Sequence, residues 1–595
     1  MHKSFEALSV LSILSLLTGC SFSSSSQKVI QIKDPEATTK ALSVYYNSLD
    51  KKESVNLCFY DDEQEIPYIN IRDAFRIRKS LFDTGITYET PGKSKYWIEN
   101  VANDFTVTLN DRATVDFDAN NQTILISNLG LAQSYSYNTT PYDILCMDDT
   151  TSTDIHYVTH QKKADGDVKS YSYIGENTYI KLSDYNIRMY ADGANCYIPL
   201  DLFNNFFVSY SYNNFCYNGD DIYCISSIET PTDEYLNDYY SGSNSKKSRS
   251  DDLRSFTYDS LRLNLDYQYG LKDLHGFSSY IDEFSYLGIY DSLHSFNDEE
   301  YLNAIYTIVY NMFGDGHCSF SKRSPYISKD TLDTVNKSFI NYNIGISELN
   351  TNFRYALSKR DQVGKENPDY VKCYYEDGDT AYVRFDSFDQ LNSIPDYYST
   401  GTDGTETNIF GVINYANKKI KKNVAIKNVV VDLLTNGGGE EPALIFALGW
   451  LLGDDARVSV NNPLTHTNST VYYHSDVNLD GKYDENDDTL KSYNKFILTS
   501  QNSYSCGNAL PVFCKESQKV KIIGQKSGGG TCQVFPLILT DGTIIDISGG
   551  AMLAKETNSH YEDIDDGATP DYTITDVDKM FDRSYTTKVV HSFNL

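Results

Sequence analysis

The sequence predicts an α/β protein, with a largely parallel sheet in its C-terminal half and a strand-rich region ahead of it. Three observations carry this. Lys427 to Leu434 is a nearly unbroken apolar run that enters Asn436-Gly437-Gly438-Gly439 and then a helical stretch, Glu441 to Leu452. Phe496 to Leu498 repeats the plan, breaking into small polar residues at Ser503 to Gly507 and resuming as a helical pattern from Asn508 to Gln518. Short apolar runs that pass through a sharp turn into a helix suit buried parallel strands. Val520 to Ile523, which ends in Gly524 and the triplet Gly528 to Gly530, and Ala381 to Phe385 supply two more. The third observation concerns residues 36–235, where alternation such as Thr106-Val107-Thr108-Leu109 and Gln122 to Ile126 is separated by Asn/Asp turns.

Taken in order, residues 1–20 read as a lipoprotein signal: a weakly basic start, an apolar stretch from Ala7 to Leu17, then Leu17-Thr18-Gly19-Cys20. Cys20 is then the lipidated residue and 21–35 a tether. The alternative is an uncleaved anchor, although the apolar run is shorter than the ~20 residues a spanning helix needs. Within 36–235, an accessory region, Ile66 to Phe75 and Cys196 to Phe203 look alike, each an apolar–Pro strand before a short helix. They resemble small stalk modules of bacterial surface proteins, the copper-amine-oxidase N-terminal-like type. Residues 241–252 read as a polar linker, 253–325 as a helical subdomain and 326–595 as the α/β domain.

The 51 basic and 82 acidic residues give a formal charge of −31, which argues against nucleic acid or anionic lipid as an electrostatic partner. Ten cysteines besides Cys20 show no metal-finger spacing, so zinc is not indicated, and their redox state is open.

Several residues are candidates for chemistry. Ser505 lies at the strand-to-helix turn, where free N–H groups and the helix dipole favour a developing negative charge, although a serine there is commonly a plain N-cap. His317 follows Gly314-Asp315-Gly316 at the end of a helical pattern that opens at Asn297 with Glu300 as capping-box partner. The glycines at 437–439 are followed by no Walker lysine and form no dinucleotide fingerprint, which leaves either a packing turn or an oxyanion site. Asp476, Asn478, Asp480, Lys482, Asp484 and Asp487 fall at the positions of a calcium loop with Gly481 at the sixth, so the segment is either a structural calcium site or a solvated acidic hairpin. Glu562 stands in a last acidic stretch, His560 to Asp571.

In this order the motifs resemble the tail-specific (C-terminal processing) protease family of serine peptidases. The resemblance covers roughly Ser255 to Tyr572 and implies a ClpP/crotonase-like catalytic core. The processing branch uses a Ser–Lys dyad, but the lysine's position, six residues beyond Gly524, is Gly530. The tricorn-like branch uses a histidine and a glutamate, which implies Ser505 as nucleophile, His317 as base and Glu562 as its orienting acid. That branch has a serine where Gly316 stands. The oxyanion donors implied are the backbone N–H groups of Cys506 and Gly438, or Gly437. No cofactor is implied for catalysis. The expected partner is a polypeptide substrate, and the expected location is extracytoplasmic, on a bacterial membrane through Cys20. The other reading is an inactive peptide- or ligand-binding lipoprotein with this fold.

Overall fold

The computed structural model describes residues 36–82, 96–134, 140–143, 145, 157–339, 344–389 and 408–595. Cys20, the signal segment and the tether lie outside them. Among the described residues no helix is long and apolar enough to cross a membrane.

The C-terminal half is mixed α/β. Its six-stranded sheet runs β1 (Tyr374–Asp377), β2 (Thr380–Arg384), β3 (Asn428–Asp432), β4 (Asn494–Thr499), β5 (Val520–Gly524) and β6 (Tyr572–Thr573), parallel from β2 onward. Successive side chains of a strand point to opposite faces, and here both faces are covered. Val429, Val431, Ile497 and Ile522 join the main core, whereas Val430, Phe496, Leu498 and Ile523 pack beneath the C-terminal helix Arg583–Ser592. This double burial explains why β3 reads as an unbroken apolar run. The helix after β3, Glu441–Leu452, is buried on every side beyond its first residue, so it shows no amphipathic stripe. At the end of β3, Asp432 and Arg583 form a buried ion pair 2.5 Å apart that ties the sheet to the last helix.

Two further sheets lie near the start of the described chain. In the seven-stranded one, the look-alike strands Glu63–Asn70 and Cys196–Pro199 are antiparallel neighbours, with Ile198 opposite Ile69, and each leads into a helix. Asp104–Leu109 and Thr123–Ile126 belong to an antiparallel five-stranded sheet with the alternating burial their sequence predicts.

An eight-stranded sheet draws on both ends of the chain. Val158–His160 and Ser170–Tyr173 pair with Thr467–Ser475, while Ser319–Lys322 and Arg457–Asn462 flank Ile544–Thr557. Segment 241–252, read from the sequence as a polar linker, packs against the rest of the chain: the Asn244 N–H donates to the Asn218 carbonyl at 3.0 Å. Arg249 there is buried over the Tyr301 ring and bonded to Asp298 at 3.0 Å. Nine described cysteines are all buried free thiols.

Candidate active site

Three loops at the C-terminal ends of β3, β4 and β5 meet, the place where parallel α/β sheets bind ligands. Their backbones are stitched together. The Ser503 hydroxyl donates to the Leu433 carbonyl at 2.7 Å, Tyr504 N–H to Asn436 at 3.1 Å, Gly528 N–H to Ser503 at 2.8 Å and Ser505 N–H to Gly529 at 2.9 Å. Ser505 is left at φ 56°, ψ −125°, heading the helix Cys506–Glu516 without capping it through its side chain. A non-glycine residue there is strained by about 1–3 kcal/mol, which surrounding structure must over-determine. The plain N-cap alternative therefore fails, because a capping serine has extended backbone and accepts from the first turn.

The glycine turn comes close to this serine. A Cβ on Gly438 would lie 2.5 Å from the Ser505 Cβ. One expected oxyanion donor is corrected, however: the Gly438 N–H is bonded to Asn436 Oδ1 at 2.9 Å, an Asx turn that consumes it. Among the described residues no acceptor takes the N–H of Cys506 or Gly437. These two remain available.

His317 arrives from the other side. Asn297 caps the helix Asp298–Tyr306, though Glu300 accepts from Ser295 at 2.7 Å instead of closing the expected capping box. The chain then passes through a wide turn at Thr307–Met312 and reverses at Gly314 with φ 59°. Pairing of Ser319 with Asp546 fixes the strand just beyond the histidine. The His317 ring stands edge-on to Tyr504, centroids 5.1 Å apart, and its Nδ1 is buried with no partner. Burial lowers its pKa, against the pull of Asp315 and Asp565. Such an imidazole is neutral at pH 7, as a general base must be. Among the described residues no hydrogen bond joins His317 to Ser505.

Glu562 is not its partner. It lies on the outer hairpin His560–Asp563, opposite Lys555, with a 55% exposed side chain 3.7 Å from Lys555 and 3.5 Å from His560. The acid facing the site is Asp565, on the turn after that strand, which accepts from Gly530 N–H at 2.9 Å. Burial raises its pKa, and Asp315 adds to the rise. Asp315 holds the histidine turn, accepting from His317 N–H at 2.9 Å, from the Tyr504 hydroxyl at 3.1 Å and from Ser548. Sequence reasoning missed Asp565, Asp315 and Tyr504. The signals were their closeness in sequence to Glu562, His317 and Ser505.

Tyr504 also accounts for the two departures from the family pattern. A Cβ at Gly530, where the dyad lysine would stand, would lie 2.5 Å from the Tyr504 ring, and φ there is +80°. A Cβ at Gly316 would meet the same ring at 3.0 Å. Lys526 is directed elsewhere, 2.5 Å from Asp566.

In the acidic loop, Asp476 accepts from Asp480 and Gly481 N–H at 3.0 and 2.8 Å, and Asp487 from Asn478 and Asp484 N–H at 3.2 and 3.0 Å. The Asn478 Oδ1 is buried without a partner. Burial pushes Asp476 up to about 6 and also raises Asp487. As the side chains stand, no three His, Cys, Asp or Glu groups among the described residues come close enough to hold a metal.

Residues 379–574 match the sequence model of Peptidase family S41. This segment, about a third of the chain, is therefore similar to the S41 peptidases, a family of serine peptidases. No curated protein matches the chain. Among solved structures, a candidate peptidase from Parabacteroides merdae ATCC 43184 is 16% identical over 57% of this chain and 96% of its own, with a TM-score of 0.39. A lipoprotein from Streptococcus agalactiae is 16% identical over 58% and 97%, with a TM-score of 0.33. A photosystem II D1 C-terminal processing protease is 19% identical over 33% and 42%, with a TM-score of 0.24.

Proposed function

We propose that the chain is a serine endopeptidase of extended or unfolded polypeptides, with a ClpP/crotonase-like core and an anchor at Cys20 on the outer face of a bacterial membrane. The observation that carries the chemistry is Ser505 at φ 56° heading a helix, with the neutral His317 ring packed 5.1 Å from the adjacent Tyr504. Ser505 Oγ attacks the scissile carbonyl carbon while His317 takes its proton and passes it to the leaving amine. Water then cleaves the acyl-enzyme, with His317 again as base. The N–H groups of Cys506 and Gly437 receive the oxyanion. Asp565, in place of Glu562, stabilises the charged imidazole, and Asp315 positions the turn.

Fluorophosphonate labelling of the purified ectodomain tests this reading. Labelling should disappear in Ser505→Ala and fall strongly in His317→Ala; unchanged labelling of Ser505→Ala rules out the nucleophile. The lack of a hydrogen bond between His317 and Ser505 favours a second reading, an inactive peptide-binding lipoprotein, which predicts peptide binding without turnover. Metabolic labelling with a radioactive fatty acid, lost in Cys20→Ala, checks the anchor.

The acidic loop is a separate, structural proposal. Calcium would be held by Asp476, Asn478, Asp480 and Asp487, with Lys482 contributing its carbonyl and Asp484 acting through water, once the carboxylates turn inward. The orphaned Asn478 Oδ1 and the two buried carboxyls support it. A melting temperature unmoved between calcium and chelator removes it.

A further inference from the structure

A cleft at the far end of the Ser505 helix plays no part in the reaction above. It encloses about 830 Å³ between the helix end at Glu516, strands carrying Arg457 and Tyr472, and the hairpin bearing Lys555 and Tyr561. Tyr171, Tyr472 and Tyr561 supply aromatic surface within a mainly polar lining. The Tyr171 ring, 63% exposed, stands at 73° to Tyr472 with centroids 6.3 Å apart. Tyr472 already carries cations, the Lys169 ammonium at 4.0 Å and the Arg457 guanidinium at 5.9 Å from its ring centre, which leaves the exposed Tyr171 ring as the open aromatic face.

One charge in this cleft is poorly matched. Glu516 Oε1 is buried without a hydrogen-bond partner, and the nearest cation to Oε2 is Arg457 at 3.9 Å. That guanidinium is engaged elsewhere, with the Glu556 carboxylate at 3.2 Å and the Tyr472 hydroxyl at 3.2 Å. The other cations are engaged too: Lys515 donates to the Thr569 carbonyl and Lys555 faces Glu562 at 3.7 Å. A carboxyl lacking donors beside aromatic faces is chemistry for an incoming ammonium or guanidinium.

We propose that this cleft is an exosite taking one lysine or arginine side chain of a polypeptide engaged at Ser505, an inference whose substrate role rests on the peptidase reading. Ser505 and Glu516 are separated by about 16 Å of helix at roughly 1.5 Å per residue. An extended chain covers that distance in about five residues. Because Cys506 to Cys514 between the two points are buried, a bound chain passes around the helix, and the basic residue is expected about five positions or more from the cleaved bond. Burial pushes Glu516 up to about 7, against Arg457 and Lys555 and with Glu556 and Glu562. A cation stabilises its ionised form, so binding strengthens as pH rises from about 6 to 8.

The test uses the full chain carrying Ser505→Ala and a fluorescent Gly/Ser/Ala peptide with a single arginine, compared with the same peptide bearing neutral citrulline. Anisotropy should show the arginine peptide binding about tenfold more tightly, a preference abolished by Glu516→Gln and reduced roughly threefold by the exposed-residue change Tyr171→Ala. Equal binding of the two peptides, or an arginine preference that survives Glu516→Gln, overturns the exosite. If Glu516→Gln melts early, the citrulline comparison and Tyr171→Ala still decide. Failure of the chain with Ser505 intact to cleave any peptide, with the arginine preference kept, refutes the peptidase reading and leaves the cation site standing.

Discussion

The serine side and the histidine side of the site are held by different forces. Ser505 sits on a turn bonded through its backbone to the ends of two neighbouring strands, so its place follows from the register of a parallel sheet. His317 sits on a turn after a helix, with its main chain tied to Asp315 and its ring fixed by burial against Tyr504. Backbone geometry thus sets Ser505, and side-chain packing sets His317. Changes on the serine side should act through chemistry and strain, and changes on the histidine side through electrostatics.

The largest effect is expected at Ser505, the proposed nucleophile. Ser505→Ala should lower peptide hydrolysis by roughly 10⁴-fold or more without unfolding the chain. Ser505→Gly should raise the unfolding free energy by about 1 kcal/mol or more, because glycine adopts φ 56° without strain. A Ser505→Gly protein that melts lower would break the claim that backbone register imposes the turn.

Next comes the contact where the two sides touch. Gly530→Ala should cost about 2–4 kcal/mol in urea unfolding, combining a positive φ with the collision against Tyr504. In a Tyr504→Ala background much of that cost should vanish. Additive effects would show that the ring does not fill the space of the dyad lysine.

On the histidine side, Asp565→Asn should reduce kcat by about 10- to 100-fold, whereas Glu562→Gln should change it less than about twofold. The reverse ranking would restore Glu562 as the orienting acid. This distinction was not legible in the sequence. His560-Tyr561-Glu562-Asp563-Ile564-Asp565-Asp566 is one acidic run, and which member faces inward depends on where the hairpin strand ends and its turn begins.

The smallest effect concerns pH. His317 has its pKa lowered by burial, so the acid limb of kcat/KM should lie below the ordinary value of about 6.5. Removing the Asp565 charge should move that limb lower still, since Asp565 raises the pKa. The stability sign follows from proton counts. Folded protein binds fewer protons at His317 than unfolded chain, so this group's contribution is intact above about 6.5 and is lost as pH falls through the folded value. A limb above 6.5 would mean that the imidazole is more solvated than its surroundings indicate.

The sequence by itself determined the α/β class, the strand–turn–helix units and the serine to inspect, because apolar run length, helical period and glycine position are local properties. It also singled out His317 from its place after a helix. Only the tertiary structure decided that Gly438 spends its N–H on Asn436, that Asp565 rather than Glu562 lies toward the histidine, and that Tyr504 occupies the lysine's space. Each of these depends on which groups meet across loops distant in sequence. Such meetings are set by sheet register and packing, which no local pattern records.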